Sequence, residues 1–244
     1  MEWREEGLLL STRPHGENAA IIEVLTETRG RHAGIVRGGA SRKIKPILQP
    51  GAQLDLTWRA RLEEHLGSFT VEPVFGRTAL MTDRLALAGL SSVTALAVFA
   101  LAERQAYPAL YRDTEAQLDR MNSGADWPAY YVAWEVHLLT TLGFGLDLSA
   151  CAVTGGQEDL TYVSPKTGRS VSAKAGRDWA DRLLPLPPFL RPEAGEQPIT
   201  ASHLSDGLRM TGYFLAHWLA PALHKQGPPP ARDRLVRAVQ KLGG

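Results

Sequence analysis

Residues 53–60, Gln-Leu-Asp-Leu-Thr-Trp-Arg-Ala, alternate between apolar and polar side chains. This period of two is typical of a half-buried strand with Trp58 on its apolar face. Four further segments rich in Ile, Val, Leu and Thr are predicted as strands: Gly7–Leu10, Asn18–Leu25, Arg31–Arg37 and Leu66–Val74. Glycines and Pro50-Gly51 lie between or at the edges of these segments. Five short strands without an intervening helix predict a small closed barrel, which leaves no sheet edge open.

After Pro73 the pattern changes to that of helices. Two helices are predicted over Thr78–Gln105 and Pro108–Met121. A third runs from a candidate N-cap, Asp126, to a candidate stop at Gly143. Its core-facing stripe recurs at three- and four-residue spacing and consists of Tyr131, Trp134, Leu138 and Leu142.

The helical pattern is interrupted after residue 146. Leu160–Val163 and Arg169–Ser172 flank a Ser-Pro-Lys-Thr-Gly turn and predict a hairpin, and one or two helical turns are expected over Asp178–Leu184. An irregular linker with five prolines, residues 185, 187, 188, 192 and 198, follows. A helix starting at Thr200 or Ser202 should end before Pro221, and a terminal helix should cover Arg232–Leu242.

These elements predict an α+β chain of two domains. The barrel occupies residues 1–75 and the helical domain residues 76–244, with an inserted module at about 147–175. Leu85 to Ala102 carries no charge, but its many Ala, Ser, Thr and Gly residues favour a buried helix over a membrane span.

The composition excludes several classes of protein. The chain has 244 residues, 44% hydrophobic and 22% charged, which is ordinary for a globular protein. Cys151 is the only cysteine, so neither an internal disulfide framework nor a cysteine-rich zinc site can form within the chain. The first six residues are charged, unlike a signal peptide, and a cytoplasmic location is expected.

Catalytic motifs are absent from the sequence. It contains no phosphate-binding loop, no His-Glu-x-x-His and no Gly-x-Ser-x-Gly, and its seven histidines are scattered. Cys151 has no neighbouring base and is interpreted as a structural thiol. We therefore expect neither catalytic residues nor a cofactor, and the chain is interpreted as a non-enzyme.

Positive charge is concentrated in the predicted barrel. The window from residue 29 to 61 holds eight cations and one acid, Asp55, so it carries +7, although the whole chain carries only +1. The eight candidate DNA-binding residues are Arg29, Arg31, Arg37, Arg42, Lys43, Lys45, Arg59 and Arg61. Such cations suit a nucleic-acid backbone. A solvated basic face or another acidic partner remains open on this pattern alone. Aromatic stacking is a weaker signal, because Trp58 is interpreted as core and Phe69 is ambiguous.

Several short motifs occur in a characteristic order and spacing along the chain. In the first half these are Gly16-Glu-Asn-Ala, Leu25-Thr-Glu-Thr-Arg-Gly-Arg, Val36-Arg-Gly-Gly-Ala and Leu48-Gln-Pro-Gly. In the second half they are Leu142-Gly-Phe-Gly-Leu-Asp-Leu, Cys151-Ala-Val-Thr-Gly and Tyr162-Val-Ser-Pro-Lys-Thr-Gly-Arg-Ser-Val-Ser. In their order and spacing these motifs resemble the bacterial RecO family of DNA repair proteins, and the resemblance covers nearly the whole chain.

The resemblance implies an N-terminal OB-fold and a helical domain with an inserted module. It also implies a mediator that binds single- and double-stranded DNA and anneals complementary strands. With RecR and RecF, such a protein helps RecA to load on DNA coated by single-stranded DNA-binding protein. The alternative is an adaptor whose basic barrel face binds an acidic protein without DNA.

The chain departs from part of the family at the inserted module. Some relatives carry four zinc-binding cysteines there, whereas Thr154 stands where the partner of Cys151 in a Cys-x-x-Cys pair would be. The module is therefore interpreted as a degenerate zinc-finger region held by packing. The resemblance also implies a pocket for the acidic tail of the single-stranded DNA-binding protein. We expect it in the helical domain, with Arg104, Arg112 and Arg120 as candidates for its basic rim.

Overall fold

The computed structural model describes residues 1–124, 126–191 and 198–242. It contains two compact units, residues 1–125 and 126–244. The predicted boundary near residue 75 marks the change from strands to helices. The first compact unit extends beyond that point, because two helices pack with the barrel.

The first unit contains a closed five-stranded barrel. Its strands are β1 (Glu2–His15), β2 (Ala19–Thr26), β3 (Gly30–Val36), β4 (Gln53–Arg59) and β5 (Ser68–Phe75). They pair in the order β1-β2-β3-β5-β4 and close through β1 and β4. All pairs are antiparallel except β3 with β5, which meet in parallel at Ile35–Ser68 and Val36–Phe69. The predicted barrel is therefore present.

Strand β1 is much longer than the predicted Gly7–Leu10, so that prediction was wrong in extent. Residues 2–8 pair with β4 and residues 7–15 pair with β2, so β1 closes the barrel by bridging two neighbours. Its charged first half forms a strand because its backbone groups pair with those of β4. A register shift between Leu9 and Ser11 allows Leu8, Leu9 and Leu10 all to be buried in succession.

The barrel interior contains the predicted alternating face of β4. Leu54, Leu56 and Trp58 are buried there, which confirms the interpretation of Trp58 as core. Phe69, which the sequence left ambiguous, is 4% exposed and belongs to the same cluster. The indole N–H of Trp58 donates to the Leu66 carbonyl at 3.1 Å, so this polar atom does not oppose burial.

Helices α1 (Arg84–Ala100) and α2 (Pro108–Asn122) complete the first unit. The predicted single helix Thr78–Gln105 was wrong at both ends. A 3-10 turn covers Thr78–Met81, and the Asp83 side chain caps α1 by accepting from the Ala86 N–H at 2.7 Å. The chain leaves the helix at Leu101 and runs beside β3, where the Arg104 N–H donates to the Arg31 carbonyl at 2.7 Å. Among the described residues, none of the helices combines the length and apolarity that a bilayer crossing demands.

The second unit is helical with a small sheet. Its helices are α3 (Trp127–Thr141), α4 (Ala173–Gly176), α5 (Ala201–Phe214), α6 (Ala220–Ala222) and α7 (Pro230–Gln240). The predicted hairpin is present as β6 (Leu160–Val163) and β7 (Ser170–Ser172). The predicted stripe of α3 packs in the core, where Tyr131, Trp134 and Leu138 are at most 3% exposed.

Several boundaries in the second unit differ from the sequence prediction. Leu184–Pro185 forms β8 beside β6, so the predicted linker begins as a strand; its residues 192–197 lie outside the described residues. Pro221 does not end the helix that starts after Thr200. A π-helical segment, Leu215–Leu219, precedes it, and this places Pro221 in the first turn of α6, where its missing N–H is tolerated.

Candidate nucleic-acid interface

The barrel topology separates the eight predicted cations into two groups. β1 and β3 run in one direction and β4 in the opposite one. The β2–β3 turn (residues 27–29) and the β4–β5 loop (residues 60–67) therefore lie where β1 begins, which we name the first end. The β1–β2 turn (residues 16–18) and the β3–β4 connection (residues 37–52) lie at the second end. A hydrogen bond of 3.3 Å from the Ala40 N–H to the Asn18 carbonyl joins these two segments.

Four predicted cations lie together at the second end. Arg37, Arg42, Lys43 and Lys45 are all exposed, and in the described part of the chain none has an ion-pair partner. Their loop is ordered by its own backbone, since the Lys45 N–H donates to the Ser41 carbonyl at 3.0 Å. This end therefore presents four exposed cations that no acid in the described residues neutralises.

The close packing of this loop depends on a glycine. A Cβ atom on Gly39 would lie 2.7 Å from the Cβ of Ala20 and 2.9 Å from its backbone nitrogen. Only a residue without a side chain lets the loop pack this closely against β2. The two glycines before the basic residues thus place the loop as well as turning the chain.

The predicted cations at the first end are less available. The guanidinium of Arg31 binds the Glu23 carboxylate and donates from Nε to the Leu101 carbonyl at 2.9 Å. Arg59 pairs with Glu2 at 2.8 Å, and this contact holds the pKa of Glu2 below its usual range. Arg29 and Arg61 are exposed and, among the described residues, have no ion-pair partner. The structure thus brings together half of the predicted set and pairs two members with acids.

A cavity of about 370 Å³ opens at the first end. Its wall includes Trp3, His32 and Trp58, and its charged lining residues include Arg29, Glu63 and Arg104. The Trp3 and Trp58 rings stack with centroids 6.0 Å apart. The His32 ring meets both of them edge-on, at 5.2 Å from Trp3 and 4.8 Å from Trp58.

His32 is the unusual residue of this cavity. It is 4% exposed, and neither ring nitrogen has a hydrogen-bond partner in the described residues. Burial, reinforced by the nearby charges of Arg104 and Arg29, lowers the pKa of His32 to about 4. The ring is therefore neutral at neutral pH, with one nitrogen able to donate and the other able to accept.

Sequence reasoning missed three contributors to these surfaces. Arg13 is exposed on β1 near the second end, in register with Ile21, but it lies before the basic window of residues 29–61. Trp3 and His32 sit on strands among charged or small residues and carry no motif. The alternation of β1 placed Trp3 and Glu5 on one face, yet the first half of β1 was not recognised as a strand.

The candidate arginines for a partner pocket do not lie together in one site that the structure defines. Arg104 lines the first-end cavity and donates from Nη2 to the His65 carbonyl at 2.8 Å. Arg112 on α2 binds the Glu27 carboxylate, and Arg120 occupies the last turn of α2. All three belong to the first compact unit. The pocket in the helical domain stays a prediction.

Hydrogen bonds and close packing surround Cys151 in the inserted module. Cys151 is 1% exposed, and its sulfur accepts from the Ser172 N–H at 3.3 Å. Nearby, Asp147 pairs with Arg169 at 3.3 Å, and Gly168 lies in a space that Trp218 and Leu146 would deny to a Cβ. Within residues 1–124, 126–191 and 198–242 there is no cluster of three metal-ligating side chains.

Comparison with known proteins assigns this architecture to a family. A family model described as "Recombination protein O N terminal" matches residues 1–77, and one described as "Recombination protein O C terminal" matches residues 81–227. A DNA repair protein RecO of Roseobacter denitrificans is 60% identical over 242 residues, which is 99% of each chain. The chain belongs to the RecO family. RecO proteins of Cereibacter sphaeroides and Dinoroseobacter shibae share 56% and 55% identity, again over 99% of both chains.

Membership of the RecO family confirms the resemblance drawn from the sequence motifs. RecO is a recombination protein and not an enzyme, in line with the interpretation of the sequence. The two matched regions meet between residues 77 and 81, close to the predicted change from strands to helices at residue 75.

Proposed function

We propose that this RecO-family chain binds single- and double-stranded DNA through its barrel and anneals complementary strands. The observation that carries the proposal is a group of exposed cations at the second end that have no ion-pair partner in the described part of the chain: Arg37, Arg42, Lys43 and Lys45. Point charges of this kind bind phosphates and release counterions, which gives affinity without reading the base sequence.

The barrel topology supports an OB-fold. A five-stranded closed barrel in which β1 pairs with both β2 and β4, and β3 meets β5 in parallel, fits that fold. OB-folds bind single strands in a charged groove beside the barrel loops. The inserted module with Cys151 is a zinc-finger region that has lost its metal ligands.

Annealing follows from a surface that binds phosphates and leaves bases free. Two strands held on one basic surface repel each other less, and their pairing edges stay available. Relatives named DNA repair protein RecO support a place in repair. On this proposal the chain works in the cytoplasm at the nucleoid, with RecR and RecF, and helps RecA to replace single-stranded DNA-binding protein, whose acidic tail it binds.

The deciding experiment is stopped-flow annealing of complementary oligonucleotides coated with single-stranded DNA-binding protein. The chain should accelerate annealing at low salt without ATP, and the effect should fade by several tenths molar salt, where screening shortens to roughly 5 Å. No acceleration at low salt, or a requirement for ATP, would reject the proposal. Binding to an acidic peptide but to neither form of DNA would instead support the adaptor alternative.

A further inference from the structure

The first-end cavity contains buried polar atoms that the protein itself does not satisfy. Both ring nitrogens of His32 are buried and have no hydrogen-bond partner in the described residues. The buried Nε of Arg104 also lacks a hydrogen bond there, and its ion-pair contact with Oε1 of Glu103 is long, at 3.9 Å. Buried polar groups are nearly always hydrogen-bonded, so three such atoms in the wall of one cavity require a physical explanation. A ligand that supplies their partners is such an explanation.

The chemistry of these atoms restricts the ligand. Because burial keeps His32 neutral, its ring offers one donor and one acceptor, and Arg104 Nε adds a second donor. A phosphodiester or an ionised carboxylate has only acceptors, so it can pair only with N–H groups of His32 and Arg104. The edge of a nucleobase presents donors and acceptors side by side, so it can pair with Arg104 Nε and with one imidazole nitrogen of His32 in either tautomer. The other imidazole nitrogen points away across the ring and needs a separate partner.

The walls and charges of the cavity favour the same class of ligand. Trp3 is only partly buried, and it borders the cavity beside His32, so its ring can stack on a planar group. Glu63 also lines the cavity and opposes a fully charged ligand inside it. Arg29 is exposed at the same cavity and suits a phosphate attached to a base. A volume of about 370 Å³ lies within the roughly 300–1,000 Å³ of small-molecule sites.

We propose that the first-end cavity takes one unpaired nucleobase of single-stranded DNA, stacked on Trp3 and hydrogen-bonded to His32 and Arg104. This inference rests on the proposed function, since it assigns a base-binding subsite to a DNA-binding barrel. The His32 ring nitrogens and Arg104 Nε have almost no exposed surface, so base entry requires a neighbouring side chain to move. In a duplex the pairing edges of the bases are hydrogen-bonded to each other, so the cavity binds only single strands. Duplex DNA is bound by the exposed cations alone.

The test compares two fluorescent single strands with equal numbers of phosphates, oligothymidylate and the same backbone with abasic sites, by anisotropy. The wild-type chain should prefer oligothymidylate by roughly 5- to 150-fold, the effect of about one stacked base. His32→Phe and Trp3→Leu should each reduce that preference and leave duplex affinity unchanged. Arg104→Gln tests the same site without altering the aromatic cluster. Trp179→Leu, at a tryptophan 56% exposed in the second unit, is the matched control and should keep the preference.

Each outcome bears on a separate claim. Equal wild-type affinity for the two strands, with salt-dependent duplex binding retained, would overturn the cavity assignment and leave the proposed function standing. A preference that survives all three cavity variants would also overturn it. Failure of the wild-type chain to bind any DNA would overturn the proposed function and this inference with it. Folding of each variant is checked by circular dichroism.

Discussion

Glu135 on α3 and Arg232 on α7 form a two-pronged ion pair inside the second unit, 97 positions apart in the sequence. Arg232 Nε donates to Oε1 of Glu135 at 2.6 Å and Nη2 donates to Oε2 at 2.8 Å. Glu135 is 0% exposed and Arg232 4% exposed. The carboxylate also accepts from the Tyr131 and Thr211 hydroxyls, so its oxygens are fully engaged.

This pair should be strongly coupled to the stability of the second unit. Glu135→Gln leaves the Arg232 cation buried without a counter-charge, which costs about 3–5 kcal/mol. The measurement is urea unfolding followed by circular dichroism. Asp147→Asn, which removes the acid of the exposed pair with Arg169, is the control and should cost at most about 1 kcal/mol. A similar, small loss for both variants would contradict the prediction.

His32 should make the first unit sensitive to mild acid. Its pKa falls from 6.5 to about 4 in the folded chain, so between these values the unfolded state binds more protons. Stability is therefore full above pH 6.5 and declines as the pH falls towards 4, by about 1–3 kcal/mol. His32→Phe should be less sensitive than the wild type in this window, measured by urea melts at pH 7, 5.5 and 4.5. Parallel pH profiles for the two proteins would contradict this origin.

The inserted module should fold without zinc. Its one cysteine is hydrogen-bonded and buried, and a tetrahedral site needs four ligands. We expect the purified protein to contain well under one zinc per chain by metal analysis, and a chelator to leave its melting temperature unchanged. About one zinc per chain, or destabilisation by the chelator, would show that residues from elsewhere complete a site.

The parts of the fold that the sequence predicts are those encoded locally. The sequence shows the buried face of β4 by its alternating side chains and that of α3 by its apolar stripe. Turn residues between β6 and β7 mark the hairpin. The first half of β1 and the end of α1 were missed for a common reason. Glu2–Glu6 becomes a strand because β4 pairs with it, and Leu101–Gln105 leaves a helix because β3 offers a backbone partner. Such contacts are set by tertiary structure and leave no local pattern.

The sequence predicts which residues of the candidate site are positively charged, but not which of them are left free of acidic partners. The basic window is visible from composition, and the side chains of Arg42, Lys43 and Lys45 are exposed. That Arg31 and Arg59 meet Glu23 and Glu2 depends on strand register, and Glu2 lies 57 positions from its partner. The cavity depends on the convergence of Trp3, His32 and Trp58 from three strands, which no motif announces.

The division between free and paired cations leads to a prediction about DNA binding. Changing Arg42, Lys43 and Lys45 together to Ala should weaken binding to a single-stranded oligonucleotide and flatten its salt dependence. If each cation neutralises one phosphate, the slope of log affinity against log salt becomes less steep by about 2, from a starting value of roughly −3 to −4. The measurement is fluorescence anisotropy from low to moderate salt.

A second triple variant separates local contact from total charge. Arg4, Arg59 and Arg112 are between 61% and 67% exposed in their side chains, but each is paired, with Asp55, Glu2 and Glu27 respectively. Changing these three to Ala removes the same charge from the same unit. A cation that is already paired with a carboxylate contributes little net positive charge to a DNA phosphate. This variant should therefore keep most of the slope of log affinity against log salt. If the two triples flatten the slope equally, net charge governs binding, and the second-end loop is not the contact.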